Sequence, residues 1–318
     1  MRKNSTKLIF LLILAIVSIA FYTLYNIQGS FSYAFPRRVE QAVAMVITGT
    51  AIAFATVIFQ TVTHNRLLTP SMIGVDSMYE VVQTLIYFFL GSASIFVVSR
   101  YLNFGVSIIA MILFALLLYR FLFRAAKYPI FLLLLAGMII GTLLGSLVTF
   151  LQVIIDPLEY EALQSRLFAS FMNVKTELIV IAAVILIVCF ILGYRMLHKL
   201  DVMSLGRDNA INLGVNYDKI VLQVLILASV LIATSTALVG PVTFLGLIVA
   251  NLAYQYFATY KHSVLIAGAS LISIIALVGG QFIVQHVFNL STTISVIINF
   301  VGGIYFIYLI LKESRKAG

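Results

Sequence analysis

Long runs of apolar residues, separated by short polar connections, set the pattern of this chain. The run from Leu178 to Leu192, for instance, contains no charged residue. A helix that crosses a bilayer needs about 20 mainly apolar residues, whereas barrel strands alternate apolar and polar positions over about ten residues. The pattern therefore predicts an all-α, polytopic membrane protein with about ten transmembrane helices. The predicted spans are residues 8–28, 41–62, 73–91, 104–122, 129–152, 177–196, 219–239, 242–256, 264–285 and 291–311.

Composition agrees with this pattern and argues against a water-soluble protein. Of the 318 residues, 62% are hydrophobic and 10% are charged, whereas a typical soluble domain has about 25% charged residues. Ten helices with short connections account for the whole length, so residues 1–318 are predicted to form a single transmembrane domain.

The distribution of lysine and arginine predicts how the helices are oriented. With the N-terminus in the cytoplasm, fifteen of the twenty basic residues lie inside and five lie outside. The outside residues are Arg37, Arg38, Arg100, Arg166 and Lys175. Cytoplasmic loops of membrane proteins carry an excess of positive charge, so we expect both termini on the cytoplasmic side of a plasma membrane. The same bias accounts for the net charge of +9 without a nucleic-acid partner.

Two connections between the predicted spans are longer than the others. Residues 153–176 are predicted to lie outside and to contain a short helix that does not span. Residues 197–218 are predicted to lie inside and form the longest cytoplasmic connection. The second connection is therefore the only sizeable surface that these helices present to the cytoplasm.

Glycines mark positions where helices can approach closely or bend. Gly137, Gly141 and Gly145 recur every four residues in the fifth span. Such a ridge lets another backbone pack closely, either within this subunit or along a transport pathway. Gly240-Pro241 interrupts the chain between spans seven and eight, and interrupted spans point toward transport sites. Gly302-Gly303 adds a second flexible point in the last span.

The sequence contains no motif of a hydrolytic, redox or nucleotide-binding site. It lacks G-x-x-x-x-G-K-[ST], H-E-x-x-H and the dinucleotide fingerprint, and it lacks G-x-S-x-G. We therefore expect no enzyme activity, no cofactor and no bound metal. Asp76 and Glu80 are the main ionisable residues within a span, and we expect them to be solvated at the cytoplasmic start of span three. A proton relay is the alternative role for this pair.

Uncharged polar residues within the spans are the remaining candidates for a transport pathway. They are Gln60, Gln152, Asn251, Gln281, Gln285 and Asn299. A hydrogen bond between helices is the commoner role of such residues in membranes. Because the chain has neither a clear proton relay nor an ATP site, we expect the energy source for transport to lie on another chain.

Four regions, in the same order along the chain, carry motifs of one known protein family. The first comprises Phe35-Pro36-Arg37, Gly49, Gln60, Asn65 to Pro70 and Ile73-Gly74. The second comprises Leu135 to Met138, Arg166 and Ala169-Ser170-Phe171. The third comprises Leu205-Gly206, Ala210 and Leu213-Gly214. The fourth comprises Gly240-Pro241-Val242 and Phe244 to Val249. In these regions the chain resembles the permeases of bacterial ABC importers for iron siderophores and cobalamin. The resemblance covers nearly the whole chain and implies the type II ABC importer permease fold.

The third region implies coupling helices at residues 198–216, which dock on cytoplasmic ATPase subunits. The residues assigned to this coupling are Leu205, Gly206, Asp208, Ala210, Leu213 and Gly214. Gly206, Ala210 and Gly214 are spaced four apart, so we expect them to form a flat face that fits a partner's cleft. Asp208 is expected to cap a short helix.

The external face carries both a family feature and departures from the family pattern. In the family, external arginines resemble docking points for acidic residues of a solute-binding protein. Arg37 keeps one of these positions, and Arg38 is beside it. Gln281 and Gln285 stand where the family has an aspartate and an arginine. We therefore hypothesise that this chain pairs with a different permease chain that retains the missing arginine.

The resemblance implies a permease subunit that receives a ferric siderophore from an extracytoplasmic binding lipoprotein and is driven by two ATPase subunits. Cobalamin is the alternative substrate within the family. The absence of tryptophan, and Ala250-Asn251 in place of the family's Pro-His, favour the siderophore. Alternatives from other classes are an ion-driven secondary transporter that depends on Asp76 or Glu80, and a membrane scaffold that transports nothing.

Overall fold

The computed structural model describes residues 2–26, 31–124, 130–172, 174–290 and 292–317. The regular secondary structure of these residues is helical, and they contain no strand. The helices are α1 (Arg2–Leu24), α2 (Phe31–Thr63), α3 (Val75–Leu90), α4 (Ile95–Val98), α5 (Arg100–Arg124), α6 (Ile130–Ile154), α7 (Pro157–Leu167), α8 (Thr176–Tyr194), α9 (Leu197–Met203), α10 (Arg207–Asn212), α11 (Tyr217–Val239), α12 (Leu245–Phe257), α13 (His262–His286) and α14 (Ile294–Ala317). A 3-10 turn at Pro70–Ile73 precedes α3.

Ten of these helices correspond to the ten predicted spans, which confirms the all-α membrane class. Eight of the ten contain a stretch of at least 18 residues that is apolar enough to cross a membrane. The other two are shorter, since α3 has 16 residues and α12 has 13. Each short helix follows a glycine with positive φ, Gly74 at +90° and Gly240 at +100°. Such backbone favours glycine, and it interrupts the helical path at both positions.

Helices α2 and α11 form the centre of the bundle. In their most apolar stretches, 83% of the residues of α2 and 72% of those of α11 are buried. Helix α2 packs against both α11 and α13. Its buried positions include Ala51, Ala53 and Ala55, each at most 1% exposed. Small side chains allow helix backbones to approach closely, which is the main source of helix association in lipid.

Helices α1, α6, α8 and α14 lie at the periphery and leave most of their apolar side chains uncovered. Only 22–28% of their most apolar stretches is buried inside the chain. Exposed leucine, isoleucine, valine and phenylalanine are costly in water but are well solvated by lipid tails. The peripheral helices therefore have the surface expected of a protein whose solvent is a bilayer.

The glycine ridge of α6 packs mainly against the 3-10 turn. A Cβ atom added at Gly137 would lie 2.1 Å from Ile73 Cγ2, and one added at Gly141 would lie 3.1 Å from Gly74 Cα. These two glycines therefore serve close packing within the subunit. A Cβ atom added at Gly145 would meet no atom within 4 Å, so the third member of the ridge is open.

The expectation that Asp76 is solvated at a cytoplasmic boundary is wrong. After α2 ends at Thr63, the 3-10 turn runs back into the bundle, so α3 begins among other helices. Asp76 is 5% exposed and accepts a hydrogen bond of 2.8 Å from Thr236. Thr236 lies near the end of α11 that is predicted to be external. Asp76 is thus an interior residue, and Glu80, one helical turn later in α3, is partly buried.

Candidate functional site

The connection between α8 and α11 contains two short helices, α9 and α10, which we call the coupling segment (residues 197–216). Gly206 and Gly214 lie immediately outside α10 with φ angles of +99° and +82°. Residues with a Cβ atom rarely adopt these angles. A Cβ atom added at either glycine would meet nothing within 4 Å. The glycines are therefore needed for backbone conformation and not for space.

The predicted flat face of Gly206, Ala210 and Gly214 is not formed. Helix α10 has only six residues, so both glycines lie outside it, and Ala210 is fully buried against the bundle. Three apolar side chains of the segment are exposed, among polar residues that are exposed too. The three are Leu205, Ile211 and Leu213, exposed at 57%, 48% and 62%. Leu205 and Leu213 were among the residues predicted for coupling, and Ile211 was not.

Asp208 does not cap α10 as predicted. Gly206 occupies the N-cap position, and no side chain makes a capping hydrogen bond there. Asp208 lies in the first turn, where a negative charge still interacts favourably with the helix dipole. Arg207 and Asp218 form an exposed ion pair of 3.6 Å beside it, and an exposed pair of this kind contributes about 0–1 kcal/mol.

A hydrogen-bonded network connects the coupling segment to the helices of the bundle. Asp201 of α9 accepts from the backbone N–H of His262 at 2.8 Å and contacts its Nδ1 atom at 2.6 Å. The Nε2 atom of the same imidazole lies 2.7 Å from Thr61 Oγ1 on α2. His262 is 2% exposed. We call Asp201, His262 and Thr61 the coupling network, because it joins α9 to the first residue of α13 and the last turn of α2.

No local pattern in the sequence indicates this network. The only indications are a lone histidine at the predicted start of a span and an aspartate in the longest cytoplasmic loop. Since 61 positions separate Asp201 from His262 and 201 separate His262 from Thr61, the contacts depend on the tertiary structure. A sequence pattern of local spacing could not find them.

A cavity of about 500 Å³ lies beside the coupling network. Its lining includes Gln60, Thr61, His64, Arg66, Ser204, Tyr254 and His262. The Arg66 guanidinium stacks over the Tyr254 ring at 4.7 Å. Burial lowers the pKa of the His64 imidazole, so this side chain is neutral at pH 7. Arg66 is therefore the permanently charged group among the lining residues named here.

Two of the predicted pathway residues have a structural role beside this cavity. The Gln60 amide donates to the Arg66 carbonyl oxygen at 2.8 Å, and the Asn251 amide donates to the same oxygen at 2.9 Å. Together they fix the chain as it leaves α2. Gln60 still lines the cavity, and its own Oε1 atom is buried without a partner among the described residues.

The other predicted pathway residues are divided between two regions. Gln281 donates to the Met172 sulfur at 3.6 Å at the external end of the bundle. In α14, a Cβ atom added at Gly302 would lie 2.3 Å from Phe244 Cβ, whereas one at Gly303 would meet nothing within 4 Å. The Asn299 Oδ1 atom is buried without a partner among the described residues.

Gln281 belongs to a larger group of neutral side chains, which we call the amide cluster. It comprises Tyr22, Gln41, Met172, Gln281 and Gln285. The amides of Gln41 and Gln285 also point at the Met172 sulfur, at 3.6 and 3.5 Å. Gln285 donates to the Tyr22 hydroxyl at 2.9 Å. The cluster joins α1, α2 and α13 to the loop after α7.

The two arginines predicted to dock a binding protein have different surroundings. Arg38 donates to the carbonyl oxygens of Tyr22, Tyr25 and Asn26 and so holds the end of α1. Arg37 is exposed, with its guanidinium 5.9 Å from the centre of the Tyr33 ring. Of the two, Arg38 is the one that the described residues record in hydrogen bonds to the end of α1.

One face of α6 carries hydroxyl groups among exposed apolar side chains. Thr142, Ser146 and Thr149 are exposed, and each donates to the carbonyl oxygen four residues earlier in the same helix. The open Gly145 lies on the same stretch. Because these hydroxyl groups donate within their own helix, the surface is mildly polar but needs no hydrogen-bond acceptor from a neighbouring molecule.

Comparison with known proteins agrees with this architecture. The model of the FecCD transport family matches residues 5–312. The petrobactin import system permease protein YclO of Bacillus subtilis (strain 168) is 51% identical over 314 residues, which is 99% of each chain. The petrobactin import system permease protein FatC of Bacillus anthracis is 36% identical over 284 residues, covering 89% of this chain and 80% of that protein.

A solved structure, described as an inward-facing conformation of a metal-chelate type ABC transporter, has the same fold. Its TM-score is 0.84 at 22% sequence identity, and the match covers 97% of this chain and 99% of that chain. This likeness confirms the predicted permease fold for the whole chain.

Proposed function

Because this chain belongs to the FecCD transport family, whose model matches residues 5–312, we propose that it is a permease subunit of an ATP-driven importer of ferric siderophores. Within that class, the relatives named for petrobactin import make a petrobactin chelate the favoured cargo. The subunit hydrolyses nothing itself; two cytoplasmic ATPase subunits supply the energy, and an external binding lipoprotein supplies the chelate.

The exposed apolar side chains of the coupling segment are the observation on which this proposal rests. An apolar surface on a water-facing loop is costly unless a partner covers it. Leu205, Ile211 and Leu213 are exposed apolar side chains, at 48–62% exposure, on the only sizeable predicted cytoplasmic loop. We place the ATPase subunits on this surface, with both chain termini on the same side of the membrane.

The coupling network gives the segment a direct route to the helices. Movement of α9 displaces Asp201, which is hydrogen-bonded to His262 at the start of α13. His262 in turn contacts Thr61 of α2, the most buried of the long helices. A rigid shift of α9 therefore acts on α13 and α2 at once, as in hinge or shear motions of proteins.

The cargo pathway is assigned to the interface with a second permease chain. The hydroxyl-bearing face of α6, with the open Gly145 at its edge, has the mildly polar character needed by a weakly binding passage. Arg37 is the docking point for the binding protein. Gln285, engaged within the amide cluster, cannot replace the arginine that the family carries there. The partner permease is accordingly a different chain.

Reconstitution tests the proposal. We expect proteoliposomes containing this chain, its second permease, the ATPase and the binding protein to take up ferric petrobactin only with ATP. Changing Leu205 and Leu213 together to glutamate should abolish uptake and release the ATPase, whereas methionine at both positions should preserve them. ATP-independent uptake by this chain alone, or normal uptake by the double glutamate variant, would contradict the proposal.

A further inference from the structure

A second, smaller cavity lies at the end of α11 that is predicted to be external. Its volume is about 230 Å³. Its lining comprises Tyr79, Arg100, Ser165, Arg166, Phe168, Ser170, Val174 and residues 237–240. Cavities that enclose a drug-sized ligand measure about 300–1,000 Å³. This one therefore has room for one functional group of a ligand and not for a whole ferric chelate.

The charge of this cavity is unusual for its position. Only five of the twenty lysines and arginines are predicted to lie outside, and two of those five, Arg100 and Arg166, line this one cavity. No aspartate or glutamate is among its described lining residues. Glu159, which precedes Arg166 on α7, is not among the lining residues and accepts hydrogen bonds from the backbone N–H and hydroxyl of Ser92.

The two arginines come from separate elements that meet only in the folded chain. Arg100 begins α5, and Arg166 lies in the last turn of α7. One guanidinium nitrogen of Arg166 donates to the Val97 carbonyl at 3.4 Å, and Arg166 has no ion pair among the described residues. The Tyr79 hydroxyl donates to the Arg166 carbonyl oxygen at 3.2 Å and holds the residue in place.

The floor of the cavity is a close backbone contact. The N–H of Ser170 donates to the Val239 carbonyl at 2.8 Å. A Cβ atom added at Gly240 would lie 2.9 Å from Ala169 Cα. The loop after α7 therefore rests directly on the break between α11 and α12, one of the interruptions that point toward a transport pathway.

From this geometry we infer that the cavity is an anion site that takes one carboxylate group of the ferric chelate before it passes the loop. Guanidinium groups bind carboxylates with short, charge-assisted hydrogen bonds. Ser170 adds a hydroxyl donor to the lining, whereas the Ser165 hydroxyl already donates to the Ala162 carbonyl oxygen at 2.7 Å. This inference rests on the proposed function for its cargo, but the anion site itself is a property of this chain.

Uptake of two matched cargoes tests the site in the complete transporter. One is a ferric chelate with a free carboxylate, and the other is the same chelate with that carboxylate converted to an amide. We expect Arg166→Gln to raise KM about tenfold for the carboxylate chelate, as for a lost charge-assisted hydrogen bond, and by less than twofold for the amide. Arg100→Gln should act in the same direction. Lys175→Gln removes a charge from the same side, outside the cavity lining, and should change neither KM.

Arg166→Lys provides a second variant that retains the charge, and its KM should lie between those of the wild type and Arg166→Gln. An equal rise in KM for both chelates would overturn the inference. So would weaker binding of the chelate-free binding protein to Arg166→Gln, because the arginine would then serve a protein carboxylate instead.

A binding measurement separates this inference from the proposed function. External succinate should raise the thermal unfolding temperature of the purified complex and should not raise that of the Arg166→Gln complex. If the wild type stabilises with succinate but transports neither chelate, the proposed function fails and the anion site stands. If succinate has the same effect on both complexes, the anion site is overturned whatever the transport result.

Discussion

The coupling network and the amide cluster occupy opposite ends of the bundle, and they are built from different chemistry. At the predicted cytoplasmic end, the carboxylate of Asp201 makes contacts of 2.6 and 2.8 Å with His262, which contacts Thr61 at 2.7 Å. At the predicted external end, three glutamine amides approach the sulfur of Met172 at 3.5–3.6 Å. One end has a charged acceptor, whereas the other has a neutral thioether.

These two chemistries differ in strength. Hydrogen bonds to charged groups contribute about 1.5–3 kcal/mol, against about 0.5–1.5 kcal/mol for neutral pairs. A thioether is a weaker acceptor than a carbonyl oxygen. The coupling network is therefore expected to move as a unit, and the amide cluster is expected to separate at low cost.

An importer driven from one side needs this asymmetry. Movement of the ATPase subunits has to be transmitted to the helices, so the hydrogen bonds between α9 and the bundle should be strong enough to persist during that movement. The external end has to open for each cargo and close again, so its contacts should be individually weak. Substitutions at the predicted cytoplasmic end should therefore reduce uptake more than substitutions at the predicted external end.

The largest effect is expected where the coupling segment changes shape. We expect Gly206→Trp or Gly214→Trp to abolish uptake while the protein remains in the membrane. Both glycines have positive φ, and Gly206, with φ 99° and ψ 163°, lies in a backbone region that is essentially restricted to glycine, where another residue costs roughly 1–3 kcal/mol. Gly206→Ala should therefore reduce uptake too, although less than tryptophan. Uptake and membrane content are measured together on the same cells.

Gly105→Ala is the matched control for these glycine variants. An added Cβ atom there meets nothing within 4 Å, and no positive φ is involved. It should preserve both uptake and stability. If Gly206→Ala behaved like Gly105→Ala, the positive-φ backbone of the coupling segment would have no part in transport.

A smaller but more specific effect is expected in the coupling network. Asp201→Ala removes the acceptor for His262 on α9, and Thr61→Val removes the hydroxyl partner on α2. Changes along a coupling route alter the coupling free energy by about 0.5–2 kcal/mol. We expect uptake per ATP hydrolysed to fall about fivefold to tenfold in each variant, with ATP hydrolysis itself retained.

Asp201→Asn keeps an oxygen acceptor without the charge, so it should lie between the wild type and Asp201→Ala. Measuring hydrolysis and uptake in the same proteoliposomes distinguishes lost coupling from lost assembly. A parallel loss of both activities would show that Asp201 serves assembly with the ATPase, and the network would not be a route of transmission.

The sequence predicted the helices well because each depends on a local property. A run such as Leu178 to Leu192 has the length and polarity of a span whatever its neighbours are. The surroundings of Asp76 at the start of α3 were predicted wrongly for a tertiary reason. The 3-10 turn at Pro70–Ile73 enters the bundle because Gly137 and Gly141 leave space for it, and hydropathy does not report that space.

The candidate site was predictable only in part, for the same reason. Gly206 and Gly214 were found through a motif, but the face proposed for them assumed a helix longer than the six residues of α10. Gln60 and Asn251 were recognised as polar residues within spans, but only the fold shows that both donate to one oxygen of Arg66. His262 had no local signal, since its partners are 61 and 201 positions away.

The smallest effect is expected in the amide cluster. Gln285→Leu removes the donor to the Tyr22 hydroxyl and one of three amides near the Met172 sulfur. Because these contacts are neutral and partly redundant, we expect a destabilisation of about 1 kcal/mol and a change in uptake below about threefold. Met172→Leu retains the volume and removes the sulfur acceptor, so it should have a similarly small effect. Thermal unfolding and uptake of the two variants are compared with those of Asp201→Ala. A loss of uptake in Gln285→Leu as large as in Asp201→Ala would mean that the external end is held as firmly as the cytoplasmic end.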